Sequence, residues 1–338
     1  MIDTKTKLSI SKSISNIASG TGPGSNEARA LIRVPNRDDM WYSKAKSLID
    51  ARKQKTMTSE SNKNDYGITS KKQSDEMRNK SQLMKKYDLT KKDIEYNQKL
   101  DFEAAGKQTP APVNHKEAFT VAKTKYNQSI EKDKLITPIV VEICHSFGGE
   151  MVGLEYKIKR EDSLARKISA YLDKGLTISE AIKDISDSLR FTSVIKADRF
   201  TEHVKNVCGE LEKKGFKISK IKNNFIDKNG KPSKGYKDMN LNFTDKSGFA
   251  FELQFNTPEG MKAKEGLEKK KDGTWGKRAD GAMSSHFYYE QSRVLDPNDV
   301  KNKERLNYFA YMTEKIWQDV PIPSGVETIN TIDNKVKV

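Results

Sequence analysis

The sequence predicts a mixed α/β (α+β) domain, with a roughly five-stranded sheet flanked by helices and a mostly helical or disordered N-terminal extension. Three observations predict it. Runs with two-residue alternation gather between residues 188 and 256, and runs with helical spacing lie before, between and after them. The chain also changes character at a Pro-containing connector, Gly106 to Val113 (GKQTPAPV).

At 338 residues there is room for one large domain with extensions, or for two smaller ones. Only 35% of the residues are hydrophobic while 32% are charged, and the mean hydropathy is −0.80, so part of the chain is expected to be loose. A net charge of +15 favours polyanionic partners such as nucleotides, RNA or anionic surfaces. The two cysteines, Cys144 and Cys208, make neither a disulfide framework nor a zinc site, and reduced structural thiols are expected. No apolar run is long enough to span a bilayer or to form the core of a cleaved signal.

Residues 1–38 are rich in Ser, Thr, Asn and Gly and read as disordered, a start that suits a secretion or targeting segment. Trp41, Ala45, Leu48 and Ile49 predict a helix over 39–53. Further helices follow over 70–86 and 90–105, the second with Thr90 and Asp93 placed as a capping pair. Residues 39–113 thus form a helical extension and linker, which either docks on the main domain or folds against a partner.

The main domain is expected over 114–320. A helix over 115–133 carries Ala118, Ala122, Tyr126 and Ile130 on one face, and Thr137-Pro138 opens a second, more apolar helix that breaks at Phe147-Gly148-Gly149. The segment 154–168 (LEYKIKREDSLARKI) reads as a strand turning into a helix near Asp162. A short helix over 178–186, a strand over 188–196 and a helix over 199–214 come next. FKISKI, MNLNFT and GFAFELQF supply three more strands, the last two joined by a tight turn at Asp245 to Gly248. Helices over 258–270, 284–294 and 301–318 follow, with a basic loop at 271–281. Leu306, Phe309, Met312 and Ile316 form a core stripe in the last helix, and Pro321 and Pro323 stop it before a polar tail over 321–338.

Four features carry chemistry. In FELQFNT, Phe251, Leu253 and Phe255 share one face of a strand while Glu252 and Gln254 share the other, so a rigidly held carboxylate faces away from the core. Lys157, Lys159, Ser163, Arg166 and Lys167 concentrate positive charge at a helix start, a suitable cradle for phosphates. Asp187, in DSLRFT, sits at the mouth of an apolar strand. The loop from Asn229 to Asn240 offers Tyr236 as an aromatic face for a base, and His286, Tyr289 and Glu290 follow in HFYYE.

In their order along the chain, from the basic motif through Asp187 and the tyrosine loop to Glu252 and His286, the features resemble the synthetase domain of RelA/SpoT-type proteins, the alarmone synthetases, over about residues 118–318, and most of all the compact toxin-type members. The spaced basic motif is matched by Lys157, Lys159, Ser163 and Lys167, and the metal-binding Asp and its Arg by Asp187 and Arg190. The Gly-Tyr loop is matched by Gly235-Tyr236, the Glu-x-Gln strand by Glu252 and Gln254, and the later His and aromatic by His286 and Tyr289. The resemblance implies a nucleotidyltransferase-like fold and transfer of pyrophosphate from ATP to a ribose 3′-hydroxyl of a nucleotide. Asp187 and Glu252 would hold Mg²⁺, with Asp184 as a competitor for the first position. Lys157, Lys159, Ser163, Arg166 and Lys167 would bind ATP, and Arg190 would assist catalysis. Tyr236, Gln254, His286 and Tyr289 would bind the acceptor, with the clusters Lys269–Lys271 and Lys277–Arg278 free to bind its phosphates or a longer polyanion.

The tRNA 3′ end is an alternative acceptor, and a non-catalytic nucleotide- or RNA-binding protein is an alternative function. No His-Asp dipeptide occurs, so the hydrolase half of the family is not expected. A bacterial toxin or effector implies an immunity protein or secretion chaperone as partner. It implies action in a bacterial cytoplasm, either where it is made or in a target cell reached without a cleaved signal.

Overall fold

The computed structural model describes residues 69–104 and 112–333. The expected disorder over 1–38, the helix over 39–53 and most of the connector lie outside the described residues. Residues 98–104 belong by their contacts to one unit, and residues 69–97 and 112–333 belong to another, which holds the sheet.

Helices α1 (Thr69–Lys86) and α2 (Lys91–Ala104) form where they are expected. Thr90 and Asp93 make the capping pair: the Thr90 N–H donates to Asp93 Oδ2 at 2.7 Å, and the Asp93 N–H donates to Thr90 Oγ1 at 3.2 Å. Leu83, Met84, Tyr87, Leu89 and Ile94 pack with residues of α8 (Ser285–Ser292) and α9 (Lys303–Trp317). Helix α1 and the first part of α2, up to Asn97, pack within the sheet-bearing unit. The stripe of Leu306, Phe309, Met312 and Ile316 lies in this cluster, but Tyr308, Tyr311 and Trp317 are more deeply buried than any of its four members.

The helix expected to break at Pro138 does not. Helix α3 runs unbroken over Glu117–Ser146 with Pro138 inside it. Proline removes the donor that the Lys134 carbonyl would accept from, but Pro138 and Lys134 are both exposed, so solvent can take the donor's place. Pro138→Ala is therefore expected to stabilise the protein by roughly 1–3 kcal/mol, up to the full helix-interior penalty of proline. A higher thermal midpoint with unchanged far-UV circular dichroism is the expected readout, and an unchanged midpoint would contradict a continuous helix.

The strand expected at Lys157 shrinks to a single bridge. Leu154–Tyr156 is a 3₁₀ turn, Ile158 pairs with Leu189, and α4 (Glu161–Leu172) begins at once. After α5 (Ile178–Lys183), strand β2 (Arg190–Val194) and α6 (Phe200–Lys213), the chain forms β3 (Lys217–Asn223), β4 (Met239–Thr244) and β5 (Ala250–Asn256). With the short β1 (Glu150–Met151) and β8 (Ile332–Asp333), these make a six-stranded sheet in the order β1-β2-β5-β4-β3-β8, in which only β2 and β5 run parallel. Two of the six strands are two residues long, so the expectation of roughly five was sound. The segment expected as a polar tail is partly anchored, because Val326 is fully buried and β8 pairs with β3.

The helix expected over 258–270 ends early. Helix α7 (Pro258–Glu265) stops at Gly266, whose φ of 65° is the left-handed conformation of a helix C-terminus. A hairpin of β6 (Leu267–Lys269) and β7 (Trp275–Lys277) then occupies part of the expected helix and basic loop.

Alternation gives the main sheet two unlike faces. Phe191, Met239, Leu241, Phe243, Phe251, Leu253 and Phe255 point to one side, where α3 and α6 contribute Ile136, Val140, Val204 and Leu211 to a common core. Phe251 stacks on Phe243 (5.5 Å between centroids) and meets Phe191 and Phe216 edge-on. The other side is polar. Register sets Arg190, Glu252, Asn242 and Lys220 in one row across four strands, and Thr192, Gln254, Asn240 and Lys222 in the next.

Candidate active site

The polar face is where the predicted residues meet. Asp187 stands three residues before β2, and its neighbour strand places Glu252 beside Arg190; the Glu252 N–H donates to the Leu189 carbonyl at 3.0 Å. Asp187 accepts from two ammonium groups, Lys159 Nζ at 2.6 Å and Lys167 Nζ at 2.7 Å. Lys159 comes from the bridge segment and Lys167 from the second turn of α4, so the basic motif folds over the carboxylate. Burial works to raise the Asp187 carboxyl, yet Lys167 and Lys159 outweigh it and hold it well below the usual carboxylate range. Glu252 behaves oppositely. Burial first, and then the negative charge of Asp187, push it up against the pull of Arg190 and Lys264. Two carboxylates that feel each other's charge are thus driven apart in proton affinity, a pattern typical of sites that do acid–base work.

Around Glu252 lies a second set of contacts. Gln254 Nε2 donates to Glu252 Oε2 at 2.8 Å, and Lys264 Nζ donates to Gln254 Oε1 at 2.7 Å. Lys264 also reaches Asp238 Oδ2 at 3.3 Å. The side chain of Asp238 is fully buried; it accepts from Asn224 Nδ2 at 2.6 Å and from the Tyr236 hydroxyl. Tyr236 packs edge-on against Trp317 (4.9 Å) with the Lys264 ammonium 5.5 Å from its ring centroid. Lys237 holds the carbonyls of Trp317 and Val320, so the tyrosine loop is fixed to the end of α9.

Other predicted residues sit further out. Lys157 pairs with Asp133 of α3 at 3.4 Å rather than with Asp187. Arg166 donates to Ser163 Oγ (2.8 Å) and Asp162 Oδ2 (3.1 Å) within the first turns of α4. The N-cap Arg160 makes no side-chain cap, which leaves that helix start open to an anion, though Glu161 and Asp162 partly oppose one. Asp184, the competitor of Asp187, is exposed at the end of α5. Tyr289 is exposed, with the Arg293 guanidinium 5.4 Å from its ring centroid. The hairpin cations are mostly paired: Lys269 with Glu150, Lys270 with Glu268 and Arg278 with Asp280.

His286 lies between two carboxylates, Glu265 (3.0 Å from Nδ1) and Glu290 (3.5 Å from Nε2). The hydrogen bond to Glu265, then that to Glu290, raises it to about 9 against the opposing effect of burial. A raised folded-state value means that its stabilisation is complete below the unfolded value near 6.5 and is lost as pH rises through about 9. His286→Asn should therefore cost stability at pH 6 and little at pH 10. Equal losses at both pH values in urea titrations would contradict the bridge.

Sequence reasoning missed Lys264, Asp238, Glu265 and Lys125. Lys125 is a buried lysine of α3 whose ammonium lies 4.6 Å from the Phe249 ring centroid; burial lowers it and Asp187 pulls it back up. Alternation in MNLNFT would have flagged Asn240 and Asn242 as facing Glu252. Nothing local marks Lys264, which meets Gln254 only because α7 folds back over β5.

Among the described residues no group of three or more His, Cys, Asp or Glu side chains is placed to hold a metal ion. Mg²⁺ is ordinarily bound by one or two carboxylates plus water and phosphate oxygens. Asp187 and Glu252, within electrostatic reach of each other, fit that donor set. No described helix is long and apolar enough to cross a membrane.

No protein-family profile matches the chain. A 139-residue segment is 31% identical to the (p)ppApp synthetase toxin Tas1 of Pseudomonas aeruginosa (strain UCBPP-PA14), covering 37% of this chain and 29% of that one. The chain therefore spans under a third of that relative's length. Two solved structures are also similar. One is the complex between the type VI effector Tas1 and its immunity protein, at 23% identity, 57% of this chain, 96% of that chain and a TM-score of 0.36. The other is small alarmone synthetase 1 from Bacillus subtilis bound to its product pppGpp, at 14% identity, 57% of this chain, 89% of that chain and a TM-score of 0.30. The RelA/SpoT-like character read from the motifs is thus shared by the sequence comparison.

Proposed function

We propose that this protein is an ATP-dependent pyrophosphokinase that transfers the β,γ-pyrophosphoryl group of ATP to a ribose 3′-hydroxyl of a nucleotide. The observation that carries the reading is the polar sheet face, where Asp187 is neutralised by two lysines while Glu252, one strand away, is pushed toward proton acceptance. In the reaction the acceptor oxygen bonds to the β-phosphorus, the bond from that phosphorus to the α,β-bridging oxygen breaks, and AMP leaves with the electron pair. The hydroxyl proton passes to Glu252.

Lys159 and Lys167 meet the growing negative charge on the phosphoryl oxygens, and Arg190 lies in the same row as Glu252 to do the same. Ser163, Arg166 and the open start of α4 take the donor phosphates, with Lys157 at the edge. Tyr236 and Gln254 orient the acceptor, and His286 with Tyr289 border it. Asp187 and Glu252 would hold Mg²⁺, which neutralises phosphate charge when bound.

The (p)ppApp synthetase activity of the relative Tas1 favours an adenosine nucleotide as acceptor, giving a (p)ppApp-type product, with (p)ppGpp-type products next. That relative is a toxin, and this chain is proposed to act as one in a bacterial cytoplasm, so its producer needs an immunity protein or an equivalent guard. The test is transfer of label from β-labelled ATP to ADP, ATP, GDP, GTP and total tRNA in parallel. Label is expected on a free nucleotide at moderate salt. Label on tRNA that falls steeply with salt would favour the nucleic-acid acceptor instead, and nucleotide binding with no labelled product would favour a non-catalytic binder.

A further inference from the structure

We propose that Lys264 is a positioning residue of the transfer reaction, acting through Gln254 to hold Glu252 in its working orientation. The proposal rests on Glu252 being a working carboxylate of the proposed pyrophosphokinase. Helix α7 is fixed at both ends, by Thr257 Oγ1 accepting the Gly260 N–H at 3.0 Å and by the left-handed Gly266. It therefore carries Lys264 to one place over β5, where the side chain is only 12% exposed.

The polarity of the contacts there has one solution. An ammonium only donates and a carboxylate only accepts, while a side-chain amide has one accepting and one donating end. Lys264 fixes the accepting end, Oε1, at 2.7 Å, so the donating end must face Glu252, which it does at 2.8 Å. Lys264 is the one donor to that oxygen among the described residues, so without it the amide is free to turn over and present an oxygen to the carboxylate. Gln254 is nearly buried, so bulk water cannot easily replace the lysine. Asn240, opposite Gln254 on β4, makes no hydrogen bond to that amide among the described residues. Asp238 gives the ammonium a second anchor and joins it to the tyrosine loop.

The test is steady-state kinetics of the full chain with ATP and its acceptor nucleotide, comparing wild type, Lys264→Met, Lys264→Arg, Gln254→Leu and the double variant Lys264→Met with Gln254→Leu. Lys264→Met is expected to lower kcat about 10- to 100-fold, the usual range for second-layer orienting groups, with both KM values changed less than about twofold. Lys264→Arg should recover most of the loss. In the Gln254→Leu background, loss of Lys264 should lower kcat by less than about twofold, because the link is already broken. If Lys264→Met does not fold, Lys264→Ala, which also removes the donor, carries the same expectation.

A raised acceptor KM with intact kcat would make Lys264 a substrate-binding group and overturn the proposal. So would full multiplication of the two losses in the double variant. Glu252→Gln separates this inference from the reading beneath it. If Glu252→Gln is inactive while Lys264→Met matches wild type, only the role of Lys264 fails; if Glu252→Gln is fully active, the reading of the site fails with it.

Discussion

Replacing Glu252 with Gln is expected to lower pyrophosphoryl-transfer turnover by about 10²–10⁴-fold, the range for loss of a general base, while the protein stays folded. The substitution keeps the shape and the capacity to hydrogen-bond but removes the charge that accepts a proton. Among the described residues Glu252 forms no ion pair; it accepts a hydrogen bond from Gln254, and its environment already disfavours the charged form. Folding should therefore tolerate the neutral amide, and an unchanged thermal midpoint would show that the loss is chemical. KM for ATP should move little, since Lys159 and Lys167 remain.

Asp187→Asn is expected to affect both activity and stability. Turnover should fall by about 10³-fold, because the variant loses a carboxylate of the proposed Mg²⁺ pair and frees the two lysines it orients. Stability at pH 7 should fall by about 1–3 kcal/mol, since two half-buried ammonium groups lose their shared counter-charge. The sign of the pH dependence follows from the depressed folded-state value. The contribution of Asp187 is present above the unfolded value near 4 and fades as pH falls below it. Wild type and variant should therefore differ most in urea titrations at pH 7, with a difference that starts to shrink below about pH 4 and closes only below the depressed folded-state value. A constant difference across that span would contradict the lysine–carboxylate account.

Much of this was legible in the sequence because it depends on local periodicity. Alternation in FELQFNT separates Phe251 and Leu253 from Glu252 and Gln254, and the structure buries the first pair while turning the second to the polar face. The Thr90–Asp93 cap and the turn before β5 were likewise local. Failures came where distance in sequence or solvent decided. Pro138 reads as a helix start, yet exposure of the Lys134 carbonyl lets α3 pass through it. Gly266 ends α7 before the expected residue and opens a hairpin that charge composition disguised as a loop. Lys157 matches a motif by spacing but turns to Asp133, a partner 24 residues earlier, and Lys264 enters the site only by tertiary folding.

The polar face of this sheet is proposed to move a pyrophosphoryl group. The most direct test is mass spectrometry of the products formed by the purified full chain with Mg²⁺, ATP and an adenosine or guanosine nucleotide, with AMP counted in the same reaction. The prediction is an acceptor heavier by two phosphoryl groups, one AMP per product, and loss of both in Glu252→Gln. An acceptor heavier by one phosphoryl group with ADP released, or equal product from Glu252→Gln, would contradict it.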